Sequence, residues 1–540
     1  MLATRSPPDS WARRRARSLP FMRAAILDLG SNSFHILVAE AGPDGSITPI
    51  LREREMLHLG AIVAEHGHVP QVHADAAVRT VAHFAELARR TGADPVVPVA
   101  TAALREATNG PTVVAALSEA AGVPVRVIDG RTEARLSYKG VRSSVATSAE
   151  PILVIDLGGG SLELAVGCGD DVQWSVSLPI GVGRMAIEAV HNDPPTWQDL
   201  ARVRAAVDAA LLPVWEELKA HDVGDVIAVG GTVRSLARVI ATGLSDWSPA
   251  SLNMFKIPAV EIGQWAERLA TMTLDERLAV DGMKDTRADH LHVAALIIAT
   301  VLDRLAVAEV TVSDWGMREG VLREAFGLSA PATGEELREQ AVQRLRNLFT
   351  THDPHLDHVA ALAVRLFDDT RALHGLGDEE RALLHHASIL HDLGESIALR
   401  GHHKHSSYLI EHSEIRGFSP GDLGVLCTLA RFHQSRRIKT KFPAYASLGA
   451  DRRHAVDRLL PLLQLADGLD RARDQAVRDV TARCTGDAVE LELHGSDLHT
   501  SHDEVLRKTG LFERTYGLPI RLVDLDANGS GAGAGAGTAP

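Results

Sequence analysis

Cysteine is scarce in this chain: Cys168, Cys427 and Cys484 are the three it has, an odd number without the paired spacing of a zinc ribbon or a disulfide framework. A disulfide-stapled secreted scaffold is thereby excluded, and a cytoplasmic setting is expected. Long apolar runs are also missing. The longest, VAALIIATVL at 293–302, stops at Asp303 and Arg304, well short of the ~20 residues a membrane-spanning helix needs, so no membrane association is expected. Positive charge is in deficit, with 56 Lys and Arg against 70 Asp and Glu and a net charge of −14. This argues against a nucleic-acid partner and requires any anionic ligand to be drawn in by local basic patches. The arginine-rich residues 1–21 lack an apolar core and a small-residue cleavage site, so no signal peptide is expected and Met22 is an alternative start.

What is present exceeds one core. A 540-residue chain with 45% hydrophobic residues calls for several domains. From Met22 to residue 326, short β-branched runs (AAILDLG, PVVPVA, VPVRVID, ILVIDLG, DVIAVG) alternate with helical stretches such as HADAAVRTVAHFAELARR, which predicts an α/β architecture. GLSAPATG, 327–334, has the composition of a linker, and Thr333 with Glu336 offers a capping box to a following helix. Residues 335–478 are helical in pattern and rich in histidine. Residues 479–526 then give strand, helix and strand, a small α+β cap, and the glycine–alanine repeat of 527–540 predicts a disordered tail.

The chemistry-bearing pattern is VIDLGGGSLELAVG, 154–167, in which three glycines interrupt an alternating strand. ILDLGSNSFHILVAE, 26–40, echoes it: each has an apolar strand, Asp-Leu-Gly, a short turn and a second strand. Turns of small residues can aim backbone N–H groups at phosphate oxygens. The preceding Asp28 and Asp156 cannot face phosphate unaided but can do so through a divalent cation, most simply Mg²⁺. A third turn, AVGGTVRSLA at 228–237, opens a helix and brings Gly230, Gly231 and Thr232. One such turn is ordinarily a plain tight turn; three in order, two with a matched Asp, point to phosphate chemistry.

DLGSNSFHILVAE, ATAALREATNG, DGRTEARLSYKG, VIDLGGGSLELAVG, AVGGTVRSLA and VSDWGMREGVL, in this order and spacing, resemble the exopolyphosphatase and guanosine pentaphosphate phosphohydrolase (Ppx/GppA) family. The resemblance covers 22–326. It implies two ribonuclease-H-like half-domains of the actin, Hsp70 and sugar-kinase type, here 22–145 and 146–326. It also implies that Glu133 activates the attacking water and that Asp156 contacts Mg²⁺, the ion that the matched position of Asp28 before its own turn suggests for it as well. The phosphate contacts it implies are Ser31 and Asn32 in the first turn, Gly158, Gly159, Gly160, Ser161 and Glu163 in the second, and Arg105. The family usually has two adjacent glutamates where this chain has Thr132 and Glu133, so an altered metal environment is expected. Competing readings are structural: Glu163 as a solvated strand residue, Arg105 paired with Glu106, and Asp28 as a turn cap.

In 335–478, His355, the doublet His391-Asp392 and the distant Asp467 resemble the HD metal-dependent phosphohydrolases, a second site for Mn²⁺, Fe²⁺ or Zn²⁺ as well as Mg²⁺, with His403 and His433 available for a further ion. The basic run RFHQSRRIKTKF, 431–442, suggests a track for a polyanion. The resulting expectation is a Mg²⁺-dependent exopolyphosphatase acting on inorganic polyphosphate. Its rivals are a guanosine pentaphosphate 5′-phosphohydrolase, a nucleotide-binding regulatory protein, and a phosphohydrolase whose chemistry sits in the HD-like domain. A homodimer is compatible with this reading and not required by it.

Overall fold

The structure, a computed structural model, describes residues 22–523 apart from 44, 148–149, 332, 351–352 and 497–498. The expected leader 1–21 and tail 527–540 lie outside the described residues. The chain divides into two compact units. One gathers the residues up to Ser248 with Leu252–Ala341 and Arg416–Phe418; the other gathers Pro249–Ser251, Val342–Ile415 and the residues from Ser419 on.

The first unit holds two sheets. β1 (Met22–Leu29), β2 (Ser33–Ala41), β3 (Ile47–Met56), β4 (Val96–Ala100) and β5 (Arg126–Val127) lie in the order β3-β2-β1-β4-β5. β6 (Ile152–Leu157), β7 (Leu162–Cys168), β8 (Asp171–Leu178), β9 (Asp225–Val229), β10 (Lys256–Pro258) and β11 (Glu309–Val312) lie in the order β10-β11-β9-β6-β7-β8. Each sheet begins with an antiparallel meander and continues by parallel pairing, β1 with β4 and β6 with β9. The echo in the sequence is therefore a repeated topology.

Helix Gln71–Arg90 turns Ala74, Ala77, Val81, Phe84 and Ala88 inward at helical spacing and covers one face of the first sheet. The apolar run at 293–302 is the buried helix Leu291–Leu305, in the core of the second sheet. Helices Gly130–Arg142 and Met317–Phe326 cross at glycines: a Cβ on Gly140 would lie 1.9 Å from the Gly316 carbonyl oxygen, and one on Gly320 2.0 Å from that of Leu136. No larger residue permits that backbone approach.

The second unit is built from helices that include Pro354–Asp369, Asp378–Leu390, His402–His412, Pro420–Phe432 and Ala450–Leu469. A three-stranded sheet follows, β12 (Val477–Cys484), β13 (Val489–Gly495) and β14 (Ile520–Val523), with helix His499–Tyr516 between the last two strands. The strand–helix–strand expectation missed β12, which starts inside the stretch expected to be helical to 478. Its register shifts between Val477 and Asp479, so the apolar residues Val477, Val480 and Ala482 break the two-residue period that marks a strand. The linker was drawn one residue long: helix Gly334–Phe349 begins at Gly334, and the Thr333 hydroxyl accepts from the Glu336 N–H at 3.1 Å.

Candidate active site

Three turns meet in the first unit and form the floor of a cleft of about 210 Å³. In β1–β2 and β6–β7 the two aspartates occupy the same register, Asp28 opposite His35 and Asp156 opposite Glu163, each one residue from the end of its strand. The glycine triplet answers to close approach. A Cβ on Gly159 would come within 3.2 Å of the Asn32 Cβ, and one on Gly160 within 3.0 Å of the Ser31 hydroxyl, so the second turn packs directly on the first. Gly230, at φ +120°, completes the group, since a Cβ there would sit 2.8 Å from the Leu157 carbonyl and 3.3 Å from Asp156 Oδ1. Gly231 and Thr232 follow it at the start of helix Gly231–Leu244.

Carboxylates crowd this floor. Glu133 lies in the first turn of helix Gly130–Arg142, which Asp129 caps by accepting from the Thr132 N–H at 2.7 Å. Its Oε2 is buried without a hydrogen-bond partner, with the Arg105 guanidinium 3.6 Å away. Burial, then Glu163 and Asp156, push its pKa well above the ordinary carboxylate range, against the pull of Arg105. Glu163 is 2% exposed and accepts from the Ser177 hydroxyl at 2.7 Å; burial and Asp156 raise its pKa to about 8. The reading of Glu163 as a solvated residue is thus corrected: β7 is an interior strand, between β6 and β8, and its alternation does not reach solvent. Asp28 is raised to about 6, by burial and by Asp156 and Glu319, with Arg318 opposing. Asp156 is raised by burial although it accepts from the Ser137 hydroxyl. Asp156 raises the pKa of both Asp28 and Glu133, although the three carboxylates are not among the groups of described residues whose donor atoms stand close enough to share an ion; the unpartnered Glu133 Oε2 is an oxygen donor of the kind a hard ion such as Mg²⁺ takes.

Of the residues expected here, Asp28, Ser31, Asn32, Glu133, Asp156, Gly158, Gly159, Gly160, Ser161, Gly230, Gly231 and Thr232 line the cleft. Glu163 lies behind it, paired with Ser177 and in register with Asp156. Arg105 binds the Ile128 carbonyl at 2.8 Å and faces Glu133, while Glu106 pairs with Arg184.

The cleft also has a cationic wall that the sequence reading did not single out: Arg54 on β3, Arg234, Lys284, Arg287 and Arg318. Burial and then Arg54 and Arg234 lower the Arg287 pKa; burial and then neighbouring arginines lower that of Lys284. The Arg318 guanidinium donates to His35 Nδ1 at 2.9 Å, and Ser33 Oγ lies 2.8 Å from His35 Nε2. Burial and Arg318 then push the His35 pKa down to about 2, so the ring stays neutral. The clue lay in the motifs: Arg234 and Arg318 sit inside AVGGTVRSLA and VSDWGMREGVL, but Arg54 and Arg287 reach the cleft from segments without a local signature.

In the second unit His355, His391 and Asp467 are buried together and placed to hold a metal ion, as are His391, Asp392 and His433, and Asp392, Glu395 and His402. The four residues expected from the sequence are therefore brought together. His403 is not among them. Neighbouring residues on a helix point about 100° apart, and it is His402 whose Nε2 comes 3.1 Å from Asp392 Oδ1. Burial alone would raise Asp392, but His391 and the other imidazoles hold it far below the carboxylate range, while Arg473 binds its outer oxygen at 2.8 Å.

A profile of the Ppx/GppA phosphatase family matches residues 37–327, and a profile of Ppx/GppA phosphatase domain III matches 337–513. The chain belongs to the Ppx/GppA phosphatase family. Among similar curated proteins, exopolyphosphatase 1 of Mycobacterium tuberculosis is 31% identical over 313 residues, 58% of this chain and 90% of that protein. Exopolyphosphatase 1 of Mycobacterium leprae is 30% identical over 326 residues, 60% and 95%. Among solved structures, the Aquifex aeolicus member of the Ppx/GppA family covers 57% of this chain and 98% of its own at 27% identity and a TM-score of 0.51. An exopolyphosphatase from Cytophaga hutchinsonii covers 57% and 99% at 27% identity and a TM-score of 0.53. The mixed α/β fold with a helical C-terminal region is the Ppx/GppA fold. No described helix of this Ppx/GppA chain is long and apolar enough to cross a membrane.

Proposed function

We propose that the chain is an exopolyphosphatase, a hydrolase that removes orthophosphate from the end of inorganic polyphosphate. The observation that carries this is the division of charge in the cleft: a floor of buried carboxylates fit for a cation, and a wall of five cations fit for a phosphate polymer. Its relatives named exopolyphosphatase support the same reading.

In the reaction a water attacks the terminal phosphorus, the P–O bond to the next phosphate breaks, and orthophosphate leaves with the chain shortened by one. When bound at Asp28 and Asp156, Mg²⁺ supplies countercharge to the carboxylates and to the phosphoryl oxygens. Glu133 orients the water and accepts its proton at Oε2, the atom left without a partner. Arg105, at 3.6 Å, favours the ionised form of Glu133 that this role needs. The turn residues Ser31, Asn32, Gly158, Gly159, Gly160, Ser161, Gly230, Gly231 and Thr232 hold the terminal phosphates. Glu163 acts from behind the floor by setting the charge felt by Glu133 and Asp156.

The finer architecture follows the same reading: two ribonuclease-H-like halves at 22–145 and 146–326, an HD-like helical domain at 335–478 and a cap at 479–526. The repeated strand order supports the first assignment, and the cluster of His355, His391, Asp392 and Asp467 the second. That cluster would take an ion of the Mn²⁺, Fe²⁺ or Zn²⁺ class. A cytoplasmic enzyme working on polyphosphate fits the scarcity of cysteine. The test is orthophosphate release with Mg²⁺ from long polyphosphate and, side by side, from guanosine pentaphosphate. Faster release from polyphosphate is expected. Preference for the nucleotide would move the assignment to the family's other activity, and release from neither would leave a binding protein.

A further inference from the structure

Side chains two apart on a strand point the same way, so β2 turns Ser33 and His35 to one face. Both line the cleft of the first unit, and Arg318, in the first turn of helix Met317–Phe326, meets them there. The Arg318 guanidinium lies 2.9 Å from His35 Nδ1, and His35 Nε2 lies 2.8 Å from Ser33 Oγ. The direction of each bond follows from what the groups can do. A guanidinium donates and has no acceptor, so His35 Nδ1 is the accepting nitrogen. Burial and the surrounding arginines keep the ring neutral; its one proton is therefore on Nε2 and is donated to Ser33 Oγ. The Ser33 oxygen accepts in that bond, so its own hydrogen points away from His35. Among the described residues no group takes that hydrogen.

Ser33 is 6% exposed, and the charged groups around His35 are cations: Arg54, opposite it on β3, with Arg234, Arg287 and Arg318. A buried donor among guanidinium groups has nothing to bond, and leaving it unbonded is costly. An ionised phosphoryl oxygen, which only accepts, is the partner that fits. The neutral ring with its proton on Nε2 is essential to this arrangement. An imidazolium would set N–H against N–H at Arg318 and add a like charge to the wall. The other tautomer would clash with Arg318 in the same way and aim the Nε2 lone pair at Ser33, drawing the hydroxyl hydrogen back from the cleft. Arg318 is steadied on its other side by Asp28, whose Oδ2 lies 3.9 Å from its Nε.

We infer that Ser33 donates a hydrogen bond to a phosphoryl oxygen of the substrate, and that Arg318 and His35 are positioning residues that hold its hydroxyl in the donating direction. The inference rests on the reading of the cleft as a polyphosphate site. It adds a donor outside both the cationic wall and the turn residues Ser31 and Asn32 expected from the sequence. A wall of charge attracts phosphate from many directions, whereas a hydroxyl of fixed direction selects one oxygen. Hydrogen bonds in a chain also polarise one another, so the bond from Arg318 through His35 strengthens Ser33 as a donor.

NMR of the ring nitrogens in the full-length chain, free of phosphate, reads the tautomer; the His35 signals are those missing from His35→Gln. The Nε2–H form is expected, and the Nδ1–H form or a charged ring overturns the relay whatever the ligand. The contact is read by calorimetric titration of a polyphosphate oligomer into Glu133→Gln, which turns it over slowly, and into the same chain with Ser33→Ala, His35→Leu or both. Ser33→Ala should weaken binding by about 10-fold, and His35→Leu by about the same or less. Together they should cost no more than Ser33→Ala alone, because a His35 that acts through Ser33 then has nothing left to hold. His35→Gln, which keeps an N–H donor for Ser33, should retain most of the affinity that His35→Leu loses. Losses that multiply in the double variant overturn the positioning role. A Ser33→Ala chain that binds as tightly as its parent overturns the contact and leaves the functional reading standing. If the parent binds no polyphosphate and the wild type releases no orthophosphate from it, the functional reading falls and the contact with it. Circular dichroism checks each variant, and the tautomer is read on the wild type itself, so misfolding of a variant does not shelter the inference.

Discussion

The cleft of the first unit and the His–Asp cluster of the second both gather ionisable side chains, and they are built by opposite means. The cleft gathers carboxylates from turns that only glycine can bring together and leaves Glu133 Oε2 unpartnered beside a wall of arginines. The cluster gathers imidazoles from helices, with every Nδ1 anchored before the Nε2 atoms meet. Hard oxygen donors in an open cleft suit an ion that is shared with a phosphate substrate. Buried nitrogen donors with fixed tautomers suit ions that belong to the protein. The two regions should therefore respond differently to the same perturbation.

The largest expected effect separates chemistry from metal content. Glu133→Gln keeps the side-chain shape but removes the proton acceptor, and general-base help is typically worth ~10²- to 10⁴-fold, so kcat should fall by about that range. Transition-metal content should not change, because none of the ligands in the second unit is touched. Single-turnover kinetics with elemental analysis on the same preparation reads both. A folded variant with near-native turnover would move the base to Glu163 or to the second unit.

The cationic wall comes next. Hydrogen bonds to charged groups are worth about 1.5–3 kcal/mol each, so Arg54→Gln with Arg287→Gln should raise KM for polyphosphate by at least ~10-fold, with kcat changed much less. Steady-state kinetics at fixed Mg²⁺ checks the split. A loss confined to kcat would place these arginines at the reacting phosphoryl group and not along the chain of phosphates.

What the sequence disclosed divides along the same line. The glycine turns with their aspartates were legible because close backbone approach demands glycine at those positions and a matched Asp marks each strand end. His355, His391, Asp392 and Asp467 were legible only as a set, a His, a His-Asp doublet and a distant Asp in order on helical stretches; the doublet alone would not have sufficed, since His221-Asp222, His352-Asp353 and His502-Asp503 also occur. The choice of His402 over His403 was not, since it depends on the phase of helix His402–His412 against Asp392. Arg54 and Arg287 were hidden because a cation on a strand or a short turn looks solvated until the fold brings several together. β12 was hidden by its bulge.

A smaller effect concerns stability and pH. Unfolded, Glu163 titrates near the ordinary glutamate value; folded, burial and Asp156 raise it to about 8. Between those values the folded chain holds a proton that the unfolded chain has lost, so stability falls as pH rises through this window and levels off above about 8. Glu163→Gln cannot ionise. In chelator, its Tm relative to wild type should rise by a few degrees from pH 5 to pH 8, and Mg²⁺ should shrink the difference by offsetting the charge. Differential scanning calorimetry of both proteins across that range is the check. A constant offset would mean that Glu163 is already ionised in the folded state.

The smallest expected effect lies on the surface of the second unit. Arg436, Arg437, Lys439 and Lys441 are exposed in the segment after helix Pro420–Phe432, whereas Arg431 stacks on Phe432 and Phe442 with its guanidinium 5.6 and 6.0 Å from the rings. Exposed cations are screened beyond ~8 Å at physiological ionic strength, so each adds little, and only a polymer that meets several at once gains from them. Replacing the four exposed residues by Gln should raise KM for long polyphosphate by a few-fold, leave a short oligomer nearly unaffected, and spare kcat, since remote contacts act as uniform binding. The gap between long and short substrates should also close as salt is raised. Equal changes on both substrates would mean that the run does not touch the polymer, and the cationic wall of the cleft would then be sufficient to hold it.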